Sequence, residues 1–288
     1  RIESAQKLYT VLGMVTVLKD GLFVIVPFSF IDGFKINDKV FLQRDGLTVK
    51  CGNGLLGRVV NALGDPIDDL GKIRDLDTNA PINKESMSPL DRGIIDKKFA
   101  TGVKAIDSML TCGKGQKVGI FAGSGVGKST LMGMIVQGCE ATIKVIALVG
   151  ERGREIPEFI HYNLNNNLEN TVIVTATSDE SPLMRKYAAF TAMTIAEYFR
   201  DKGYDVLLMM DSVTRFAMAQ REIGLSTGEP PVSRGYPPSV FALLPQLMER
   251  AGNSKKGSIT AFFTVLVDGD DLNDPIADQS RSILDGHI

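Results

Sequence analysis

The sequence predicts an α/β protein: a mainly parallel sheet with helices on both faces, preceded by part of a small N-terminal β-barrel. Three observations carry this expectation. Beyond residue 97, apolar β-type runs at 117–121, 144–148, 171–175, 206–210 and 259–267 alternate with helical stretches, the pattern that builds a parallel sheet by crossover connections. These runs lack strict polar/apolar alternation, as strands covered on both faces do. Residues 122–130, AGSGVGKST, follow the first run directly. They hold three glycines where an ordinary turn needs one or two, so this junction needs bare backbone.

Taken in order, residues 1–50 contain short β-rich runs at 14–18, 22–27 and 39–42, and Asp20-Gly21 between the first two is a hairpin signal. Residues 52–96 are rich in Gly, Pro, Asn and Asp with little period of either kind and read as a connector with a few turns. The expected organisation is therefore a partial β-barrel over 1–53, a connector over 54–96 and a core domain over 97–288. Within the core, residues 181–202 give the clearest helix. Ser181 is placed to cap it, Pro182 suits the first turn and Gly203 supplies the stop. Leu183, Tyr187 and Phe190 then share a core-facing stripe, with Arg185 on the opposite side.

Composition narrows the function. With 288 residues, 44% of them hydrophobic, the chain can bury a real core, and a net charge of −2 offers no basic excess for a polyanion, so nucleic acid is not an expected partner. Cys51, Cys112 and Cys139 are scattered without a CxxC pair, which argues against a disulfide framework or zinc site and fits a reducing compartment. His161 and His287 are too few for a metal cluster and read as surface or boundary residues. No apolar run nears the ~20 residues of a membrane-spanning helix, and no leader opens the chain. Arg1 at the start and the apolar Ile288 at the end point to a piece of a longer chain.

The chemistry concentrates where strands end. In a parallel sheet, ligands bind at the strand-to-helix junctions, because free N–H groups and the helix dipole converge there. Gly123, Ser124, Gly125, Val126, Gly127, Lys128, Ser129 and Thr130 sit at such a junction and match the phosphate-binding pattern GxxxxGK[ST], except that Ala122 stands at its first position. The glycines let the backbone wrap a phosphate chain, Lys128 would neutralise the β and γ oxygens of ATP, and the Ser129 hydroxyl would hold Mg²⁺. Asp211 emerges from the buried run 206–210, where an acid can hold a magnesium-bound water; the competing reading is a helix N-cap before residue 213. Glu151 and Arg152, directly after the run ending at Val149, are placed to activate a water and brace the site. From the residues alone, a solvated charge cluster at a helix start is equally open.

These motifs, in this order, resemble the rotary and secretion ATPases of the P-loop class, including the catalytic subunit of ATP synthase. Residues 211–231 (DSVTRFAMAQREIGLSTGEPP), 235–252 (GYPPSVFALLPQLMERAG), 257–288 and TCGKGQ at 111–116 are similar to the ATPases of the bacterial flagellar type III export apparatus. The resemblance runs from about Gly54 to the end. It implies a P-loop RecA-like core and Mg²⁺-dependent attack of water on the γ-phosphate of ATP. It also makes Glu151 the catalytic carboxylate and places Arg152 and Arg215 near the γ-phosphate. Further implications are a homo-hexamer in the full-length protein, partners among the stator or regulator, the stalk, the export gate and chaperone–substrate complexes, and a cytoplasmic location with peripheral association at the inner membrane. Residues 228–238 match a loop that faces the ring's pore. The family's ring-completing arginine, its aromatic residue beside adenine and its C-terminal helical domain lie past Ile288, so the chain is expected to bind MgATP but turn it over slowly. Injectisome ATPases, nucleic-acid translocases and non-catalytic ring subunits are the alternatives.

Overall fold

A computed structural model describes residues 1–3, 10–32, 34–35, 38–43, 46–123, 125–267, 269, 271 and 273–288. Asp20 and Gly21 both take positive φ, 51° and 75°, which an Asp-Gly pair tolerates in a two-residue hairpin loop. They join β1 (Gly13–Lys19) to β2 (Leu22–Pro27), with Lys19 opposite Leu22. Two-residue strands at Thr10–Val11, Ile2–Glu3 and Lys39–Val40 form a second antiparallel piece. Next come β3 (Thr48–Cys51), β4 (Val59–Val60) and β5 (Thr78–Pro81), of which β3 and β5 pair with each other.

The stretch read as a connector thus contributes to the sheets. β4 pairs in parallel with Ile173 and Val174 of the main sheet, and Gly57 N–H donates to the Thr171 carbonyl at 2.9 Å. Two valines cannot display a period; their pairing partners lie more than a hundred residues away.

The main sheet comprises β4, β6 (Lys117–Ala122), β7 (Ile143–Glu151), β8 (Thr171–Thr177), β9 (Asp205–Asp211), β10 (Ser258–Leu266) and β11 (Gly286–His287). Its order is β11-β6-β10-β9-β7-β8-β4, all parallel, with Gly252–Asn253 added antiparallel to β10, eight strands among the described residues. The longer helices that cover it are α1 (Lys128–Gly138), α2 (Pro182–Asp201), α3 (Val213–Ser226), α4 (Pro238–Met248) and α5 (Pro275–Ile283). Central strand residues sort between two cores by parity. Val145, Ala147, Val149, Leu208 and Met210 pack on the side of α2 and α3. Ile146, Leu148, Leu207 and Met209 pack on the side of α1. Both parities meet apolar matter, which is why no polar/apolar alternation shows.

Helix α2 starts as expected. Met184 N–H donates to Ser181 Oγ at 3.2 Å, Pro182 is the first helical residue, and Gly203 takes φ +96° just past the end. Leu183, Tyr187 and Phe190 are buried, but so is most of the helix, which packs against strands on one side and α3 on another. Arg185 forms an ion pair with Glu222 of α3 at 2.6 Å.

Consecutive strands β6 and β7 are not neighbours, because β10 and β9 lie between them. That arrangement opens a switch point at the carboxyl ends of the strands, where open α/β sheets take ligands. Register brings the relevant ends together: Ala122 pairs with Leu266, Met210 with Phe263, and Leu148 with Asp211.

Candidate nucleotide site

The loop after β6 leads into α1 without a side-chain cap. Gly127, the residue before the helix, is left-handed at φ +96°, Gly125 takes φ +77°, and nothing lies within 4 Å of where their Cβ atoms would be. These two glycines are thus required by backbone conformation, not by crowding. The first turn of a helix leaves its N–H groups unpaired, and here no acidic residue occupies that turn. Gly125, Val126, Gly127, Ser129 and Thr130 are exposed, Gly123 is half-buried, and Ser124 lies outside the described residues. The mouth is open and carries the positive end of a helix dipole.

Three charged side chains converge behind it. Lys128 Nζ stands 2.5 Å from Asp211 Oδ1 and 4.0 Å from Glu151 Oε1, with the three side chains only 12%, 7% and 15% exposed. Asp211 is not a helix cap: Ser212 takes that place, its Oγ accepting from Arg215 N–H at 3.2 Å. Thr264 of β10, fully buried, donates its hydroxyl to Asp211 Oδ1 at 2.7 Å. Both bonds fall on Oδ1; among the described residues no donor reaches Oδ2.

Glu151 reaches this cluster through an irregularity. The register of β7 against β8 shifts between Val149 and Glu151, and the intervening Gly150 takes φ +72°, a bulge that re-aims the side chain after it. Its carboxyl is pushed up to about 7, first by burial, then by the charge of Asp211 and by the hydrogen bond its protonated form donates to Glu155, with Lys128 pulling the other way. Two carboxylates share one lysine, and Lys128 stands closer to Asp211 than to Glu151, which favours holding the proton on Glu151.

The arginines are placed differently from each other. Arg215 on α3 packs its stem over Gly150, where a Cβ would come 3.0 Å from Arg215 Cβ, and its buried Nε has no hydrogen-bond partner. Arg152 is 69% exposed and meets Glu155 at 3.9 Å, not the lysine cluster. Residues 228–238 form the link between α3 and α4, tied back by an Arg234–Asp271 ion pair of 2.9 Å. His161 and His287 are exposed, and all three cysteines are free thiols. Thr264, Gly150 and Glu155 belong to the site but were not singled out from the sequence.

An open glycine loop on a helix N-terminus, with a lysine following β6 and two carboxylates from the ends of β9 and β7, is an arrangement suited to a polyphosphate. A family model described as the nucleotide-binding domain of the ATP synthase alpha/beta family matches residues 102–288. The chain belongs to this family. Within it, the chain is 65% identical over 277 residues to a protein named flagellum-specific ATP synthase from Helicobacter pylori strain J99, covering 96% of this chain and 64% of that protein. The chain therefore spans under two thirds of that curated relative. Among solved structures, the assembled ATPase EscN of the enteropathogenic Escherichia coli type III secretion system matches with a TM-score of 0.94 at 49% identity, covering all of this chain and 69% of that one. EscN in complex with its central stalk EscO matches at a TM-score of 0.90 and 48% identity, with the same coverage. No helix among the described residues is long and apolar enough to cross a membrane.

Proposed function

We propose that this chain carries the MgATP site of an ATPase that energises protein export through the flagellar type III apparatus. The observation that carries the reading is the convergence of Lys128, Asp211 and Glu151 from three strand ends behind an uncapped helix N-terminus. In this proposal the lysine's present partner is a stand-in. Arriving β and γ phosphate oxygens draw Lys128 away from Asp211 while the amides of the loop from Gly123 to Lys128 clasp the phosphate chain.

The donor set fits a magnesium ion. Asp211 keeps a carboxylate oxygen without a donor, and the exposed Ser129 hydroxyl makes no hydrogen bond among the described residues. Two protein oxygens are what a site needs when phosphate and water complete the shell. When bound through Ser129 and Asp211, Mg²⁺ supplies charge neutralisation across the phosphates. Glu151 orients the attacking water and takes its proton, a role suited to a carboxyl pushed up to about 7. Arg215, with its unpartnered Nε, is placed to meet charge near the γ-phosphate, and the exposed Arg152 is free to serve a subunit boundary. The wider proposal includes a hexamer in the full protein and contacts with a stalk, a stator or regulator, the export gate and chaperone–substrate complexes. It also includes peripheral association at the cytoplasmic face of the inner membrane, and an ATPase core over 97–288 behind a connector and a partial barrel.

Flagellar export is favoured over injectisome secretion by 65% identity to the flagellum-specific relative against 49% to EscN. A non-catalytic nucleotide subunit is disfavoured by a carboxylate 4.0 Å from Lys128. Glu151→Gln tests the reading: nucleotide affinity should stay near that of the wild type while hydrolysis falls about 10²- to 10⁴-fold. Hydrolysis that survives the change, or affinity lost along with it, overturns the assignment.

A further inference from the structure

Helix α1 carries a slot along one face. Ser129, Gly133 and Gln137 follow at four-residue spacing and therefore share one side of the helix. Asn163 lies along all three. Its Nδ2 donates to the Ser129 carbonyl at 3.1 Å, and its own carbonyl accepts from Gln137 Nε2. Between these bonds, a Cβ on Gly133 would stand 2.7 Å from Asn163 Cβ and 3.0 Å from its carbonyl oxygen. Gly133 is thus required by contact: only a bare backbone lets the asparagine lie flat across the helix.

The asparagine arrives there by an unusual route. The segment that begins at Glu151 turns through Glu155–Glu158 and then widens into a π-helical turn, Phe159–Asn163, with Leu164 N–H donating to the Phe159 carbonyl. Such single wide turns are rare and shift every following residue around the axis. Phe159 before Asn163 and Leu164 after it are buried in the same core as Met132, Ile135 and Val136 of α1, so the segment is anchored on both sides of the contact.

We propose that Asn163 is a positioning residue for the phosphate cradle, fixing the rotation of α1 at Ser129 relative to the segment that starts at Glu151. It touches neither phosphate nor metal. Its bond is to the backbone of the residue whose hydroxyl would hold Mg²⁺, so its loss tilts that hydroxyl more than it alters the amides clasping the phosphates. The inference rests on the nucleotide reading above and deepens it.

The test is binding of a fluorescent, nonhydrolysable ATP analogue, titrated in EDTA and then with Mg²⁺, alongside thermal unfolding of each variant. Asn163→Asp keeps the side-chain shape and removes the donor, and Gly133→Ala pushes the asparagine out of its slot. Both should raise the Mg²⁺ concentration for half-maximal tightening about three- to tenfold, the size of one neutral hydrogen bond. Affinity in EDTA should stay near wild type. Gln137→Ala, which frees only the far end, should shift the Mg²⁺ midpoint less than Asn163→Asp. An unchanged Mg²⁺ midpoint in Asn163→Asp, or an equal loss with and without metal, overturns the positioning role. Failure of the wild-type chain to bind the analogue at all would instead overturn the nucleotide reading itself.

Discussion

Two clusters in this molecule bury charge, and they are finished in opposite ways. Arg250 is fully buried, yet its guanidinium is met on every side. Nε and one terminal nitrogen bond Glu197 at 3.0 and 2.8 Å, the latter also meets Thr194 Oγ1 at 2.9 Å, and the other bonds the Ile82 carbonyl at 2.9 Å. Glu197 is its carboxylate, and the exposed Lys84 adds a second cation 4.0 Å from Glu197 at the rim. Behind the glycine loop, one lysine faces two carboxylates, one arginine nitrogen has no partner among the described residues, and Glu151 is pushed up to about 7. The first cluster joins α2 to the turn after α4 and to Ile82 just past β5, and its bonds are complete within the fold. The second is left incomplete where an anion and a cation would complete it.

The largest effect that would break this comparison comes from the finished cluster. Arg250→Met leaves the buried Glu197 carboxylate with only the exposed Lys84 4.0 Å away, which should cost about 3–5 kcal/mol in urea unfolding. Arg250→Met combined with Glu197→Leu should recover most of that loss, since no charge is then stranded. A single substitution that costs under about 1 kcal/mol would mean the pair is solvated in solution and the contrast is false.

The unfinished cluster should respond with the opposite sign. A carboxyl whose pKa rises on folding, from 4.5 to about 7, is still protonated in the folded chain at pH values where the unfolded chain has released its proton. Folding stability therefore falls as pH rises between these values and is level above the higher one. Glu151→Gln removes that dependence. Without nucleotide, the variant should match the wild type at pH 4.5 and exceed it by on the order of 1–3 kcal/mol at pH 8. Unfolding curves at both pH values decide it, and a difference independent of pH would show that Glu151 stays ionised throughout.

How much of this could be read beforehand follows the range of the interactions. The cap at Ser181, the Asp20-Gly21 turn, the apolar strand runs and the loop at Gly123 to Thr130 are local patterns, and each appears in the structure where the residues place it. Features that depend on pairing across the sheet were hidden. β4 has two residues and acquires meaning only opposite Ile173. The aim of Glu151 depends on a bulge whose sequence trace is a single glycine before it. No local period in the sequence announces the π-helical turn that ends at Asn163 or its seat on Gly133. Thr264 did leave a signal: it is a hydroxyl two positions before the end of a long buried strand, and a buried hydroxyl needs a partner.

That threonine gives the smallest and most discriminating test. Thr264→Val keeps the shape of a fully buried side chain and removes one donor, so packing is held constant. Its shorter bond goes to Asp211 Oδ1 at 2.7 Å, against 3.3 Å to the Met210 carbonyl, and this is the bond the change deletes. Asp211 is not stranded, because Lys128 remains 2.5 Å away. The cost should therefore be the net worth of one hydrogen bond, about 0.5–1.5 kcal/mol in urea unfolding, and not the larger penalty of an orphaned buried acceptor. In a Lys128→Met background the same change takes the last recorded donor from Asp211, and its cost should rise toward about 3 kcal/mol. Equal costs in the two backgrounds would mean that Lys128 and Thr264 do not share Asp211 in solution, and the lysine would then stand free to meet a phosphate without first giving up a partner.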